Sequence, residues 1–168
     1  MVSPLSSVLE EHYPEVIDSF TEMYSINDAV AEDIFIETKK WLWLCGYNQS
    51  LQAKGEEGAS LFIDDSLLII DKMWHTFILY TKLYTIFCNK HFGSYIHHYP
   101  TPPLQKKQQA DRFDKDVNYL EQFELRQRKQ YEFVSSILGK ETLIKWYFEY
   151  PETFSRKAIS QLHLSSGQ

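Results

Sequence analysis

The sequence is poor in the residues that would give a small protein an alternative to an ordinary hydrophobic core. It has only two cysteines, six glycines and six prolines among 168 residues. Two cysteines in separate segments, Cys45 and Cys88, make no disulfide scaffold and predict a reducing compartment. Lys and Arg number 17 against 23 Asp and Glu, which leaves a net charge of -6. This excess of negative charge argues against nucleic acid or an anionic membrane as the main partner.

Signals for export and for membrane insertion are also missing. Residues 1–10 have no basic segment followed by an apolar run, so no cleaved signal peptide is expected. The most apolar stretch, residues 67–87, is interrupted by four ionisable side chains: Asp71, Lys72, His75 and Lys82. So many ionisable groups argue against a membrane span. We therefore predict a cytoplasmic protein, while secretion without a cleaved signal would leave the same pattern.

What the chain does contain is a large apolar and aromatic fraction. Hydrophobic residues make up 43% of it and aromatic residues 15%, which is too apolar for a disordered chain. A chain of this length is expected to form one domain with a sizeable core. We predict a single domain over residues 1–168, with a flexible tail over residues 160–168.

Apolar residues recur at helical spacing along most of the chain. The first helical pattern starts at Pro14, a residue that suits an early helical position. The second follows Asn27, an effective N-cap, and is expected to stop near Gly46. Residues 48–60 are typical of an exposed loop.

The central pattern, residues 65–91, is apolar on almost every face, which predicts a helix buried between others. Residues 94–104 contain three prolines and are expected to cross the fold in an extended form. Residues 105–138 predict a long charged helix, and residues 141–150 predict a last helix that Pro151 ends. No strand pattern occurs. We therefore predict an all-α fold, a compact bundle of about five helices around the central helix.

Side chains suited to metal binding or proton transfer are concentrated between Asp71 and His98. The candidates are Asp71, His75, Cys88, His91, His97 and His98. Asp71 and His75 are four residues apart on the predicted helix and therefore share a face. This spacing lets the carboxylate orient the imidazole through Nδ1, or lets both side chains bind one metal ion.

Distance along the chain decides which other candidates can join this pair. On an unbroken helix Cys88 lies roughly 20 Å from His75, at ~1.5 Å per residue, so these two cannot share a metal ion. His91 lies farther still. The extended segment that follows can run back along the helix and bring His97 or His98 near His75. Because neighbouring residues of an extended chain face opposite ways, one of these two histidines is expected to point inward.

Each candidate also has a purely structural interpretation. A buried pair such as Asp71 and His75 can be a hydrogen-bonded unit of the core. Cys88 can pack as a small apolar residue, and His91 can stabilise a helix C-terminus. Familiar enzyme motifs, among them the HExxH zinc motif and the P-loop, do not occur. The sequence alone therefore leaves open whether the chain is an enzyme.

One stretch suggests a family. Residues 71–75 read Asp-Lys-Met-Trp-His and residues 96–100 read Ile-His-His-Tyr-Pro, with Cys88 and Gly93 between them. This pattern resembles the glycine-rich-domain-containing-protein-like family. The chain has no glycine-rich region, so nothing tied to that region carries over. The resemblance implies that these residues belong to one motif, and a motif of Asp and His is more typical of a site than of packing.

The leading hypothesis is a buried polar or metal site. Asp71 would be a ligand or orienting group, His75 a ligand or general base, and His97 or His98 their partner, with Cys88 and His91 less suited. Such ligands suit Zn²⁺ or Fe²⁺ and leave a position open for hydrolytic or oxidative chemistry on a small molecule.

The alternative hypothesis is a non-catalytic protein-interaction module, which could be a secreted effector. In that case the Asp and His residues only lock the fold, and the charged helix over residues 105–138 presents the surface for a protein partner.

Overall fold

The computed structural model describes residues 2–163, and helices form most of that range. Within these residues no β-strand forms, and Tyr24 and His163 meet in an isolated bridge. The predicted all-α fold is therefore confirmed. The helices are α1 (Leu5–Leu9), α2 (Pro14–Met23), α3 (Asp28–Ala53), α4 (Leu68–Leu79), α5 (Thr81–Phe92), α6 (Pro103–Lys115), α7 (Val117–Leu138), α8 (Lys140–Ile144), α9 (Tyr150–Thr153) and α10 (Arg156–Leu162).

Helix α3 begins where the sequence predicts and continues past the predicted stop. The Asn27 side chain accepts a hydrogen bond from the backbone N–H of Val30 at 2.9 Å, so the predicted cap is present. The helix runs on to Ala53, because Gly46 marks a close helix contact rather than a helix end. A Cβ atom at Gly46 would lie 2.7 Å from Cδ1 of the Phe92 ring on α5.

The predicted central helix is divided into α4 and α5. The division falls at Tyr80, whose ψ of 60° leaves the helical region. The Tyr80 hydroxyl donates to the carbonyl oxygen of Glu15 at 2.8 Å and lies 2.5 Å from Oγ of Ser19. These contacts tie the junction to α2. Because no proline or glycine stands there, the apolar pattern alone predicted an unbroken helix.

The proline-rich crossing is shorter than predicted, and the long helix after it is divided. Residues 95–102 form no helix, but Pro103 opens α6, since proline is compatible with the first turn of a helix. Helix α6 ends at Lys115. Asp116 then caps α7 by accepting a hydrogen bond from the backbone N–H of Tyr119 at 3.1 Å.

The last predicted helix is longer than expected. Helix α8 passes through a π-helical turn, Lys145–Glu149, into α9. The wide turn precedes Pro151, which lacks a backbone N–H, so the helix continues past it to Thr153. Of the predicted flexible tail, residues 160–162 belong to α10, and residues 164–168 lie outside the described residues.

Aromatic rings fill the interior between α2, α3, α4 and α5. The largest fully buried side chains include Trp41, Trp146, Tyr84, Phe20, Phe77 and Phe87. In the described part of the chain, none of the helices combines the length and the apolar character that a membrane crossing requires. Phe77 places the inner face of α4, the helix that carries the candidate site, among these rings, against Tyr84 and Phe87.

Candidate metal centre

Helix α4 presents Asp71 and His75 on one face. A short 3-10 turn, Asp65–Leu67, precedes the helix, and Asp64 caps that turn by accepting a hydrogen bond from the backbone N–H of Ser66 at 2.9 Å. Because residues four apart lie one above the other on a helix, Nδ1 of His75 lies 3.4 Å from Oδ2 of Asp71. The spacing in the sequence thus becomes a direct contact between imidazole and carboxylate.

The proline-rich crossing brings His98 to the same carboxylate. Nε2 of His98 donates to Oδ1 of Asp71 at 2.8 Å. The rings of His75 and His98 have their centroids 4.4 Å apart. Asp71 therefore stands between two imidazoles that come from different elements of the fold.

One ligand atom from each of Asp71, His75 and His98 lies within 4.8 Å of the other two. The side chains of Asp71 and His98 are 15% and 12% exposed, whereas that of His75 is 45% exposed. The cluster is therefore sheltered on the side of the crossing and open to solvent on the side of His75. Two imidazoles and a carboxylate are a ligand set that suits Zn²⁺ or Fe²⁺.

His97, which the sequence left as an alternative to His98, lies outside the cluster. It is exposed, and its ring lies between those of Tyr95 and Tyr99, at centroid distances of 4.9 and 5.8 Å. The reason is the extended backbone of the crossing, which turns neighbouring side chains to opposite sides. The structure therefore does not place His97 among the candidate ligands.

A buried network holds the crossing against α4 and α5. The Trp74 indole N–H donates to the Tyr84 hydroxyl at 2.9 Å, and that hydroxyl donates to the carbonyl oxygen of Ile96 at 2.7 Å. The Trp74 ring also meets the His98 ring edge to face at 4.4 Å. Sequence reasoning missed the role of Tyr84, because Trp74 and Tyr84 are ten residues apart and can meet only where the helix breaks between them, at Tyr80.

The electrostatics of the cluster favour a charged Asp71 and a neutral His75. Burial is the largest influence on Asp71 and raises its pKa, but the hydrogen bond from His98 and the neighbouring His75 outweigh it, so the pKa is lowered. Burial lowers the pKa of His75, and the attraction of Asp71 only partly opposes this. An ionised carboxylate and an unprotonated imidazole are the forms that bind metal ions.

Cys88 and His91 are directed elsewhere. Cys88 is fully buried, and burial raises the pKa of its thiol despite contacts with Ile96 and Tyr84. Nε2 of His91 lies 3.2 Å from Oε1 of Glu11. Neither residue approaches the cluster of Asp71, His75 and His98.

Comparisons with known proteins place the chain in a family. A family model described as UCP032817-like matches residues 39–127, which is more than half of the chain and includes the three cluster residues. The chain belongs to this family. The predicted resemblance to the glycine-rich-domain-containing-protein-like family is therefore wrong, since it rested on the short motif over residues 71–100 alone. No curated protein and no solved structure matches the chain.

Proposed function

We propose that this member of the UCP032817-like family binds one divalent metal ion, Zn²⁺ or Fe²⁺, through Asp71, His75 and His98. The observation that supports the proposal is the convergence of three ligand atoms within 4.8 Å of one another. Two ligands at ~2.1 Å from one ion stand at most ~4.2 Å apart. Small side-chain rotations are therefore enough to bring all three atoms into one coordination sphere.

The open side of the cluster supports a catalytic rather than a closed structural centre. Three protein ligands leave at least one coordination position for water or substrate. The partly exposed His75 faces the side from which such a molecule would enter. Hydrolysis with Zn²⁺ or oxidation with Fe²⁺ is the chemistry that this ligand set supports, with Asp71 and His75 as the residues nearest the reacting molecule.

Metal analysis tests the proposal directly. Protein purified without a His-tag is stripped with chelator and titrated with Zn²⁺ or, without oxygen, with Fe²⁺ against a chromophoric chelator. We expect about one ion per chain. Because second-shell changes alone weaken metal binding by about 10–100-fold, replacing a ligand in Asp71→Asn or His98→Gln should weaken it at least about 100-fold.

His97 provides a matched control. His97→Gln makes the same chemical change as His98→Gln one position earlier, where the side chain is exposed and outside the cluster. Its metal affinity should equal that of the wild type. Equal losses in both variants, or no stoichiometric metal in the wild type, would contradict the proposal.

The second candidate function is a protein-interaction module, and one observation favours it. Asp71 and His98 already satisfy each other through a 2.8 Å hydrogen bond, as a purely structural pair would. Helix α6 has no buried residue and so offers a free surface for a partner. In this case His98→Gln would lower the free energy of unfolding by about 1–3 kcal/mol, with no response to added metal in any variant.

A further inference from the structure

A cleft of about 330 Å³ opens along α4 on the face next to that of Asp71 and His75. It lies between α4, the end of α2 and helix α10. The residues that line it are Tyr24, Leu68, Lys72, Arg156, Ile159, Ser160 and His163. Its volume falls at the lower end of the range for small-molecule pockets, roughly 300–1,000 Å³.

The cleft is basic in a protein whose net charge is -6. Lys72, Arg156 and His163 bring three basic side chains to it, and none of the described residues that line it is acidic. Arg156 pairs with the carboxylate of Asp65 at 2.7 Å. That pair is exposed on both sides, so an entering anion can compete for the guanidinium.

The floor of the cleft is apolar. Ile159 and Tyr24 are buried, with 6% of each residue exposed, and Leu68 lies beside them. The Tyr24 ring meets the His163 ring edge to face at 5.3 Å, and the backbone N–H of Ser25 donates to the carbonyl oxygen of Leu162 at 2.8 Å. These contacts hold α10 in place, so the cleft is a built feature of the fold.

The cleft adjoins the proposed metal centre. Lys72 directly follows Asp71 on α4, so their side chains leave adjacent faces of one helix turn. Leu68, which also lines the cleft, lies three residues before Asp71 on the same helix. A molecule in the cleft would thus have one end beside the cluster.

We propose that this cleft is the substrate pocket of the metal centre and that it takes a small organic anion, a carboxylate or phosphate on a short apolar body. Lys72, Arg156 and His163 would hold the anionic group, and Leu68 and Ile159 the apolar body. The role as a substrate pocket rests on the proposed function, whereas the affinity for anions does not require the metal.

Calorimetric titration of the full chain with two ligands, phenyl phosphate and benzoate, tests the inference. We expect saturable binding of at least one of them to metal-free protein. Lys72→Gln should weaken it about tenfold, the effect of losing one charge-assisted hydrogen bond. Arg156→Gln should act in the same direction, and the relative affinities of the two ligands identify phosphate or carboxylate as the preferred group.

Lys82 provides the matched control, because Lys82→Gln makes the same charge change at an exposed position of α5 away from the cleft. It should bind both ligands as the wild type does. If neither ligand binds saturably, or if Lys82→Gln weakens binding as much as Lys72→Gln, the cleft is not an anion site and the inference is overturned.

A second measurement separates this inference from the proposed function. Protein loaded with Zn²⁺ should bind the preferred ligand more tightly than metal-free protein, because a cation beside the cleft attracts an anion. Asp71→Asn should lose that gain, because it no longer binds Zn²⁺. Anion binding without any Zn²⁺ binding would overturn the proposed function, and binding of both without coupling would overturn the role as substrate pocket.

Discussion

Glu37 and Asp71 both have sheltered carboxylates, but the side chains around the two differ. Lysine and tryptophan side chains surround Glu37, whereas histidines contact Asp71. Glu37 on α3 is 2% exposed. Its Oε1 accepts hydrogen bonds from Lys40 at 2.9 Å and Lys145 at 3.1 Å, and its Oε2 accepts one from the Trp146 indole at 2.8 Å. Asp71 on α4, whose side chain is also mostly buried, contacts the imidazoles of His75 and His98 instead.

The difference in partners separates a structural carboxylate from a candidate ligand. The ammonium groups around Glu37 are permanent cations near neutral pH. Burial lowers the pKa of Lys145, but the hydrogen bonds that its ammonium group donates to Asp33 and Glu37 outweigh burial and leave that pKa raised. An imidazole, in contrast, can release its proton and offer a nitrogen lone pair to a metal ion. Burial alone therefore does not identify a functional carboxylate, whereas the chemistry of its partners does.

The largest expected effect is on stability at Glu37. Glu37→Ala removes the acceptor of the buried Trp146 indole N–H and of Lys40, while Lys145 keeps its hydrogen bond to Asp33. It should lower the free energy of unfolding by about 3 kcal/mol, measured by urea denaturation. Glu32→Ala on the exposed side of the same helix is the control, with a change of less than about 0.5 kcal/mol. Zn²⁺ affinity should be unaffected by either variant. If Glu37→Ala is folded but no longer binds Zn²⁺, Glu37 contributes to metal binding and the two carboxylates do not have separate roles.

The second expected effect is a gain in the free energy of unfolding when Zn²⁺ binds at Asp71. A ligand that binds only the native state at a hundredfold excess over its Kd raises the free energy of unfolding by about 2.7 kcal/mol. We expect this gain from Zn²⁺ in the wild type and in Glu37→Ala, and no gain in Asp71→Asn. Thermal unfolding with and without Zn²⁺ measures it, and an equal gain in Asp71→Asn would place the ion elsewhere.

Lys39 extends the comparison to a buried cation that meets carbonyl groups. Its Nζ donates to the carbonyl oxygens of Leu9 at 2.8 Å and Glu11 at 2.7 Å. Burial lowers its pKa from 10.5 to about 8, against the attraction of the Glu11 charge. Below pH 8 the native and unfolded states are both protonated at Lys39. Between pH 8 and 10.5 the native state has released a proton that the unfolded state keeps, so stability rises with pH.

We expect this rise to reach about 2 kcal/mol between pH 8 and about pH 9.5, since one pKa unit corresponds to about 1.4 kcal/mol. Urea denaturation at both pH values gives the free energy of unfolding of the wild type and of Lys39→Met. The rise is the change with pH in the difference between these two free energies. Lys82→Met, at an exposed site, serves as the control. A difference between wild type and Lys39→Met that stays constant over this range would show that Lys39 titrates normally.

The smallest expected effect concerns the hydrogen bonds of Tyr84, which hold the segment that carries His98. Tyr84→Phe removes the hydroxyl that joins Trp74 to the carbonyl oxygen of Ile96, and should lower the free energy of unfolding by about 1 kcal/mol. Because Ile96 lies two residues before His98, Zn²⁺ affinity should also fall severalfold. Tyr99→Phe, at a position that is 83% exposed, should change neither quantity. Unchanged Zn²⁺ affinity in Tyr84→Phe would show that His98 is positioned without this network.

Prediction from sequence succeeded where the physics is local. The all-α class, the Asn27 cap and the start of α2 at Pro14 follow from residue spacing and backbone chemistry, and the structure confirms them. The stop near Gly46 was wrong because a glycine also serves where another side chain, here the Phe92 ring, comes too close for a Cβ atom. The break at Tyr80 was missed because the hydrogen bonds found there join Tyr80 to α2, more than 60 residues earlier in the chain.

By itself, the sequence determined that the chain is helical and that Asp71 and His75 share a helix face, and it predicted that one of His97 and His98 points inward. These are consequences of the periods of helix and extended chain, which act over a few residues. Only the tertiary structure decided that His98 is the one that meets Asp71, and that a basic cleft lies beside the pair. Both depend on how the crossing and α10 pack against α4, and such packing results from the summed burial of side chains far apart in the chain.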